Sequence, residues 1–467
     1  AWMFIEGFVV LSTEILAIRQ LTPFVGNSIE VVSVVIAAVL IPMSLGYFQG
    51  SKINFDDASK GKAIRRRLTF NFLLTAAVLC LGLSYQVLIV FFMLLSKIGV
   101  KGILVQTALY TLCFIFFSVY LLAQTLPILG HYLRRVSPSL ASGTSLFFST
   151  LGSFLGSVLL SLVVMMIWGV NYAVMFVVVL LVGMACSLNR WRFDERMIVG
   201  VVIIAATFSL NRDEALRDIE VVAMTPYSTI AVHNDQMGRM LSINHSASAR
   251  TAIDPKDRFS YVRFIESNWL KNTPGLPPKK VLVIGAGGAT IGEKDRYNQY
   301  TFVDVDRKLK DIVENNFLER PLSENKKMLA VSARGFFRES NERYDVIILD
   351  AYSHIRNIPN QLVTIEFFKD VREHLAPGGW VIFNAICHPA FGDVFSKRLH
   401  RTFTSIFPQS SRQVVSEKEG WVWSSQSDVV RNVIYSAKVD QSSDSSVYVD
   451  RWAPVDYDRA HQKKTSV

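Results

Sequence analysis

Seven long apolar runs fill most of the first 210 residues, at 3–25, 29–48, 68–95, 103–129, 145–168, 172–188 and 197–210. A helix needs roughly 17–25 apolar residues to cross the hydrocarbon core, and six of the runs reach that length. The last has only 14 residues and falls short. With one run following another, a cleaved secretory signal is not expected. Residues 1–210 are therefore read as a multi-span α-helical membrane domain of about seven segments. Charge is distributed accordingly: 14 Lys+Arg and 7 Asp+Glu precede residue 211, against 35 and 32 after it.

Basic residues occupy alternate loops. Lys52, Lys60, Lys62, Arg65, Arg66 and Arg67 lie in one, Arg134 and Arg135 in the next, and Arg190, Arg192 and Arg196 in a third. The loops between hold only Lys97 and Lys101, so the rich loops are expected in the cytoplasm and the N-terminus inside. If 197–210 spans the bilayer, the rest of the chain lies outside; if it is re-entrant or interfacial, the rest stays inside. Inside the first run, Glu14 sits mid-membrane and Glu6 and Arg19 flank it. An intramembrane carboxylate faces a polar partner or a cavity, and Arg19 can snorkel to the headgroups. Gly143, Ser145, Ser149, Gly152, Gly156 and Ser157 suit close helix packing. Cys80, Cys113, Cys186 and Cys387 and the scattered histidines form no disulfide framework or metal spacing.

The second half is organised around 281–306, VLVIGAGGATIGEKDRYNQYTFVDVD. An apolar strand runs into Gly285, Gly287 and Gly288, and a second apolar run ends on Asp304 and Asp306. This reads as strand, glycine turn, helix start, strand, acid. In a doubly wound sheet such a turn lets a nucleoside approach the backbone at a helix N-terminus, while the acid accepts from ribose hydroxyls. The spacing does not separate a dinucleotide from S-adenosylmethionine. A further strand, 345–349, ends on Asp350.

Before this stretch, alternating runs within 211–250 predict a small β cap with Tyr227 at its first turn, followed by a helix over 258–270 bearing Tyr261. After it, helices are expected at 309–317, 336–340 and 365–375, the last capped by Thr364. Strands are expected at 328–331, 380–384, 413–415, 420–424 and 432–437. The pattern predicts a parallel sheet with an antiparallel edge. Residues 442–446 read as a linker, and Trp452-Ala453-Pro454-Val455 as a docking segment. The expected domains are 1–210, the cap and linking helix 211–273, and an α/β Rossmann-like domain 274–467. Basic residues in the second half are interleaved with acids, which argues against a nucleic-acid partner.

These residues resemble the spermidine synthase family, in particular its bacterial membrane-fused members. The likeness rests on EILAIR and LGYFQG in the first half, and on Pro226-Tyr227-Ser228, GAGGATIG, VDVD, LDAYS, IPNQLVTIEFF, APGGW and WAPVD in the second. It implies a methyltransferase-type Rossmann fold that moves an aminopropyl group from decarboxylated S-adenosylmethionine, or an alkyl group from S-adenosylmethionine, to an amine or polyamine. It also implies a bacterial inner-membrane location and a homodimer. By this likeness Gly285, Ala286, Gly287, Gly288, Asp304, Val305, Ser332, Ala333 and Asp350 bind the cofactor. Asp350 is the base, and Tyr227, Tyr261 and Tyr352 wall the acceptor.

The chain departs from soluble members at three acidic positions, which here are Gly288, Ser332 and Ser353, and Gln361 stands where fused relatives often have His. Loss of acid lowers the negative potential a polycation needs. Three readings follow: a membrane-anchored alkyl transferase, a non-catalytic nucleoside sensor regulating a membrane transporter or scaffold, and a methyltransferase acting on a membrane substrate.

Overall fold

The computed structural model describes residues 2–26, 28–53, 60–100, 102–133, 138–272, 275–352, 358–415 and 430–438. The 420–424 strand, the 442–446 linker, the Trp452 to Val455 segment, Arg134, Arg135 and Ser353 lie outside them. Two compact units divide the chain, Ala1–Pro226 and Tyr227–Val467.

In the first unit five helices are long and apolar enough to cross a membrane: Trp2–Val25, Ile29–Ser51, Ile103–Gly130, Ser142–Ile167 and Val170–Leu188. The expected straight segment 68–95 is instead bent by 68° between Gly61–Gly82 and Tyr85–Lys97, and counts as a sixth if the pair is one span. The break is stable because its freed carbonyls find partners. The Tyr110 hydroxyl donates to Gly82 O at 2.9 Å and Gln20 Nε2 to Leu83 O at 2.7 Å. The run at 197–210 is a 17-residue helix, Glu195–Asn211, whose N-terminus is capped by Asp194.

Small residues let backbones touch. A Cβ on Gly152 would lie 1.9 Å from Phe4 O, and one on Gly156 2.3 Å from Phe8 O. Gly143 has nothing within 4 Å, so close packing does not explain it. Within LGYFQG, Gly46 faces Tyr120 O and Gly50 faces Pro127 in the same way. Glu6 is buried and accepts from Ser149 Oγ at 3.0 Å. Arg19 does not snorkel: it is buried, and its Nε donates to Thr225 O at 2.9 Å.

The second unit begins with the antiparallel strands β1 (Thr229–Asp235), β2 (Gly238–Ile243) and β3 (Ser246–Ala252), then helix α1 (Ser260–Trp269). β3 reads SASARTA, too polar and small to stand out by alternation. The main sheet contains β4 (Lys280–Ile284), β5 (Gln299–Asp304), β6 (Lys326–Ala330), β7 (Tyr344–Leu349), β8 (Leu375–Cys387), β9 (Ser411–Val415) and β10 (Arg431–Lys438). Its order is β9-β10-β8-β7-β4-β5-β6. β8, β7, β4, β5 and β6 pair in parallel, and β10 runs antiparallel to both β8 and β9. Helices α2 (Leu309–Ile312, continuing as the π-helical turn Val313–Phe317), α3 (Ala333–Glu339), α4 (Ile365–Glu373) and α5 (Val394–Ile406) complete the unit. Thr364 caps α4 by accepting from Phe367 N–H. One core lies on a single face of the sheet, where Leu349, Phe383 and Tyr435 pack with Phe368 and Phe403.

One expectation fails in a consequential place. No helix follows the glycine turn; the 14 residues from 285 to 298 cross from β4 to β5 as turns. Gly285, Gly287, Ala289 and Gly292 all take positive φ, which a right-handed helix cannot accommodate. The segment EKDRYNQ also offers no apolar stripe to bury. Asp295 instead folds it back by accepting from Tyr297 N–H, Asn298 N–H and the Tyr300 hydroxyl.

Candidate functional site

The strand order reverses between β4 and β7, and in a doubly wound sheet ligands bind in the crevice at the carboxyl ends of such strands. Ile284 pairs with Leu349 on one side and Val303 on the other, so Gly285, Asp350 and Asp304 emerge at one level. Gly285 has φ +90°, and a Cβ there would lie 2.4 Å from Asp350 O. Only glycine lets the two strand ends meet so closely. The Asp304 carboxylate accepts from Ala286 N–H at 3.2 Å and Asp306 N–H at 3.1 Å. Burial pushes its pKa up to about 6, against the lowering effect of those N–H groups.

Gly287 also has positive φ, and a Cβ there would lie 3.1 Å from Ser248 Oγ on β3. Gly288 is buried rather than presented to a ligand. A Cβ on it would lie 2.3 Å from Phe317 Cε1 and 2.6 Å from Ala249 Cβ. The missing acid at this position thus has a steric counterpart, because the space a side chain needs is filled. With no helix after the turn, no helix dipole supports a bound anion there.

Asp350 is the best-supported side chain in the crevice. Its Oδ2 accepts from the Tyr261 hydroxyl at 3.0 Å and its Oδ1 from Asn384 Nδ2 at 2.8 Å. Burial raises its pKa to about 6, and the two hydrogen bonds pull the other way. Tyr261 is buried and stacks on Phe259 at 5.9 Å. Tyr352 donates to Asn384 O at 2.8 Å and accepts from Ile386 N–H at 2.7 Å, so its hydroxyl fixes the β8 backbone.

Asn384 escaped the sequence reading. Its signal was a polar side chain within the apolar run VIFNAIC, where a buried amide needs partners. Ser332 stands on the neighbouring strand end, where Val331 N–H donates to Asp304 O at 2.8 Å, but its Oγ accepts from Gly335 N–H and caps α3. Ala333 is the first residue of that helix. Val305 and Tyr227 are each 42% exposed, and next to Tyr227 the Ser228 hydroxyl donates to Asp306 Oδ2 at 3.1 Å. Hydrogen bonds thus join Tyr261, Asp350, Asn384 and Tyr352 in one group and Ala286 with Asp304 in another, on the strand ends either side of Gly285, while Ser332, Ala333, Val305 and Tyr227 lie at the margin.

Residues 263–424 match the spermine/spermidine synthase domain. A polyamine aminopropyltransferase of Hyperthermus butylicus is 33% identical over 173 residues, covering 34% of this chain and 56% of that protein. The Saccharolobus solfataricus polyamine aminopropyltransferase is 32% identical over 144 residues, 29% of this chain and 48% of that protein. The chain therefore spans about half the length of these relatives. Among solved structures, spermidine synthase from Thermotoga maritima is 15% identical with a TM-score of 0.35, covering 51% of this chain and 77% of that one. Human methyltransferase-like protein 13 in complex with SAH is 18% identical with a TM-score of 0.32, covering 44% and 95%.

Proposed function

We propose, from the premise that this chain belongs to a spermidine synthase-like family through residues 263–424, that it is a membrane-anchored transferase alkylating an amine. The donor is decarboxylated S-adenosylmethionine or S-adenosylmethionine. The observation that carries the reading is Asp350, gripped by Tyr261 and Asn384 at the strand end against Gly285.

The adenosyl donor supplies a sulfonium-bound alkyl group. The chain's residues do the rest. Gly285 and Gly287 fix the backbone of the turn beside the Asp304 carboxylate, which would accept from the ribose hydroxyls. An acceptor amine is protonated at neutral pH and cannot attack. Asp350 takes that proton, and its pKa of about 6 keeps it ionised at pH 7 while making it a stronger base than an exposed aspartate. The nitrogen lone pair then forms the N–C bond, and the C–S pair stays on sulfur as a thioether. Tyr261 and Asn384 hold both carboxylate oxygens so that the lone pairs left over face the amine.

The absence of acids at Gly288, Ser332 and Ser353 favours an acceptor with fewer charges than a long polyamine. Outward-facing Leu40, Phe48, Phe154 and Leu162 support a lipid-facing helical unit. We place the α/β unit in the cytoplasm. Helix Glu195–Asn211 runs back along Val170–Leu188, joined to it at one end by Asn189 Nδ2 to Asp194 Oδ1 at 2.9 Å and at the other by Asn171 Nδ2 to Asn211 O at 3.0 Å. The ground for this placement is thus the cytoplasmic origin of an adenosyl donor and not the loop charges, which argue for the opposite side.

The test is product analysis on the purified full chain, with each donor and a panel of amines. Methylthioadenosine marks aminopropyl transfer and S-adenosylhomocysteine marks methyl transfer. Binding of the donors without either product replaces the enzyme with a nucleoside sensor.

A further inference from the structure

The crossover from β4 to β5 has lost its helix, yet the glycine turn needs a fixed backbone, and the residues that fix it come from the cap side of the sequence. Arg258, 7% exposed, donates from Nη1 to Glu266 Oε2 at 2.7 Å and from Nη2 to Glu266 Oε1 at 2.8 Å. Nη2 also donates to Thr290 O at 2.5 Å. Glu266 Oε1 in turn accepts the Gly292 N–H at 2.8 Å. Glu293 Oε2 stands 4.0 Å from Arg258 Nε, and its Oε1 is 3.0 Å from Arg320. The far end of the crossover is tied to the same helix, where Asn298 Nδ2 donates to Leu270 O and to Asn272 Oδ1, both at 3.0 Å.

We infer that Arg258 and Glu266 are positioning residues for nucleoside binding, bracing the crossover in place of the missing helix. The inference rests on the reading of the glycine turn as a nucleoside site. A bidentate, buried pair is the kind of ion pair that holds geometry, unlike an exposed one. Thr290 and Gly292 follow the turn by only a few residues, so slack there passes directly to Gly285 and Gly287. Helix α1 carries Glu266 to the crossover and Tyr261 to Asp350, so a single element sets both halves of the crevice. A displacement of about 1 Å in such a support is enough to cost orientation at a reacting centre.

The experiment uses the full chain in detergent, with amide exchange and titration of 5′-methylthioadenosine as two readouts. Glu266→Ala is expected to speed exchange across 286–298 by about tenfold or more while 344–350 stays within about twofold. Affinity for the nucleoside should fall by about tenfold or more in the same variant. Glu266→Gln keeps an oxygen for Gly292 N–H and should recover most of both. If Glu266→Ala does not fold, Arg258→Lys carries the same readouts, because one ammonium cannot reproduce the fork to Glu266 and Thr290. Wild-type affinity in a folded Glu266→Ala or Arg258→Lys protein overturns the positioning role alone. A wild-type chain that binds no methylthioadenosine overturns the site reading and the role together.

Discussion

The helical unit and the α/β unit bury polar groups for partly different reasons. In the first, Gln20, Asn71 and Tyr110 lie inside while Leu40, Phe48 and Phe154 face out. Their side chains are spent on backbone: Gln20 on Leu83 O, Asn71 on Leu121 O, Tyr110 on Gly82 O. An apolar surrounding cannot satisfy a broken helix, so neighbouring side chains do. The second unit also buries polar groups, among them Arg258, Asn298, Asp393 and Ser396, and the half-buried Asp350 and Asp304 gather at strand ends. A carboxylate held out of water costs stability. Buried polarity is scaffolding throughout the first region, whereas the second adds to scaffolding such as Arg258 and Thr364 a set of carboxylates at the crevice.

Glycine gives the sharpest contrast and the largest predicted effects. Gly285→Ala forces a Cβ onto Asp350 O at a positive φ, and should abolish transfer and nucleoside binding together. Gly152→Leu drives a side chain into Phe4 O, and should remove folded full-chain protein from membranes altogether, read by size exclusion in detergent. If Gly152→Leu instead accumulates normally, the two helices are not held by close packing and the comparison loses one side.

Asp350→Asn comes next. Turnover should drop by about 10²–10⁴-fold, with methylthioadenosine affinity within a few-fold of wild type. Stability should move the other way. The folded pKa of about 6 exceeds the unfolded value, so the native chain holds a proton that the unfolded chain releases between about pH 4 and 6. Stability therefore declines as pH climbs through that window, and the penalty stays at higher pH. Asn, carrying no charge, should gain about 1 kcal/mol at pH 8, after discounting for partial exposure, and nothing at pH 4. In the wild type, the rate should rise with pH through about 6, a limb that Asn384→Ala should shift upward by removing a donor that favours the ionised form.

The sequence made the main sheet legible because alternating apolar runs and turn residues are local signals. Strand ends at Ile284, Asp304 and Leu349, and the Thr364 cap, needed no tertiary information. Helix α5 went unread although Asp393 caps it and Phe395, Leu399, Phe403 and Ile406 recur at helical spacing. A crossover helix is expected because Gly285 to Gly288 resembles a familiar turn, whereas the positive φ of Ala289 and Gly292 has no local signal, and Gly292 lies against the ring of Tyr300, eight positions on. Asn384 was invisible for a similar reason: its meaning lies in a neighbour 34 positions away. The bend at Leu83 likewise depends on Gln20 and Tyr110, far off in sequence.

The smallest effect separates the two uses of a buried hydroxyl within one unit. Tyr261 and Tyr352 were both expected to wall the acceptor, yet Tyr261 donates to the Asp350 carboxylate while Tyr352 bridges Asn384 O and Ile386 N–H. Tyr352→Phe removes one donor and one acceptor from backbone groups, and should lower stability by about 1 kcal/mol. Its rate should fall less than about tenfold, because Asp350 keeps both of its own hydrogen bonds. Tyr261→Phe strips a donor from the carboxylate itself and should raise the pH of the rising limb, which Tyr352→Phe leaves in place. Chemical denaturation and paired pH–rate profiles measure both quantities. Should Tyr352→Phe move the limb as far as Tyr261→Phe, then Tyr352 acts on the reacting groups after all, and scaffold and equipment are no longer separable at this crevice.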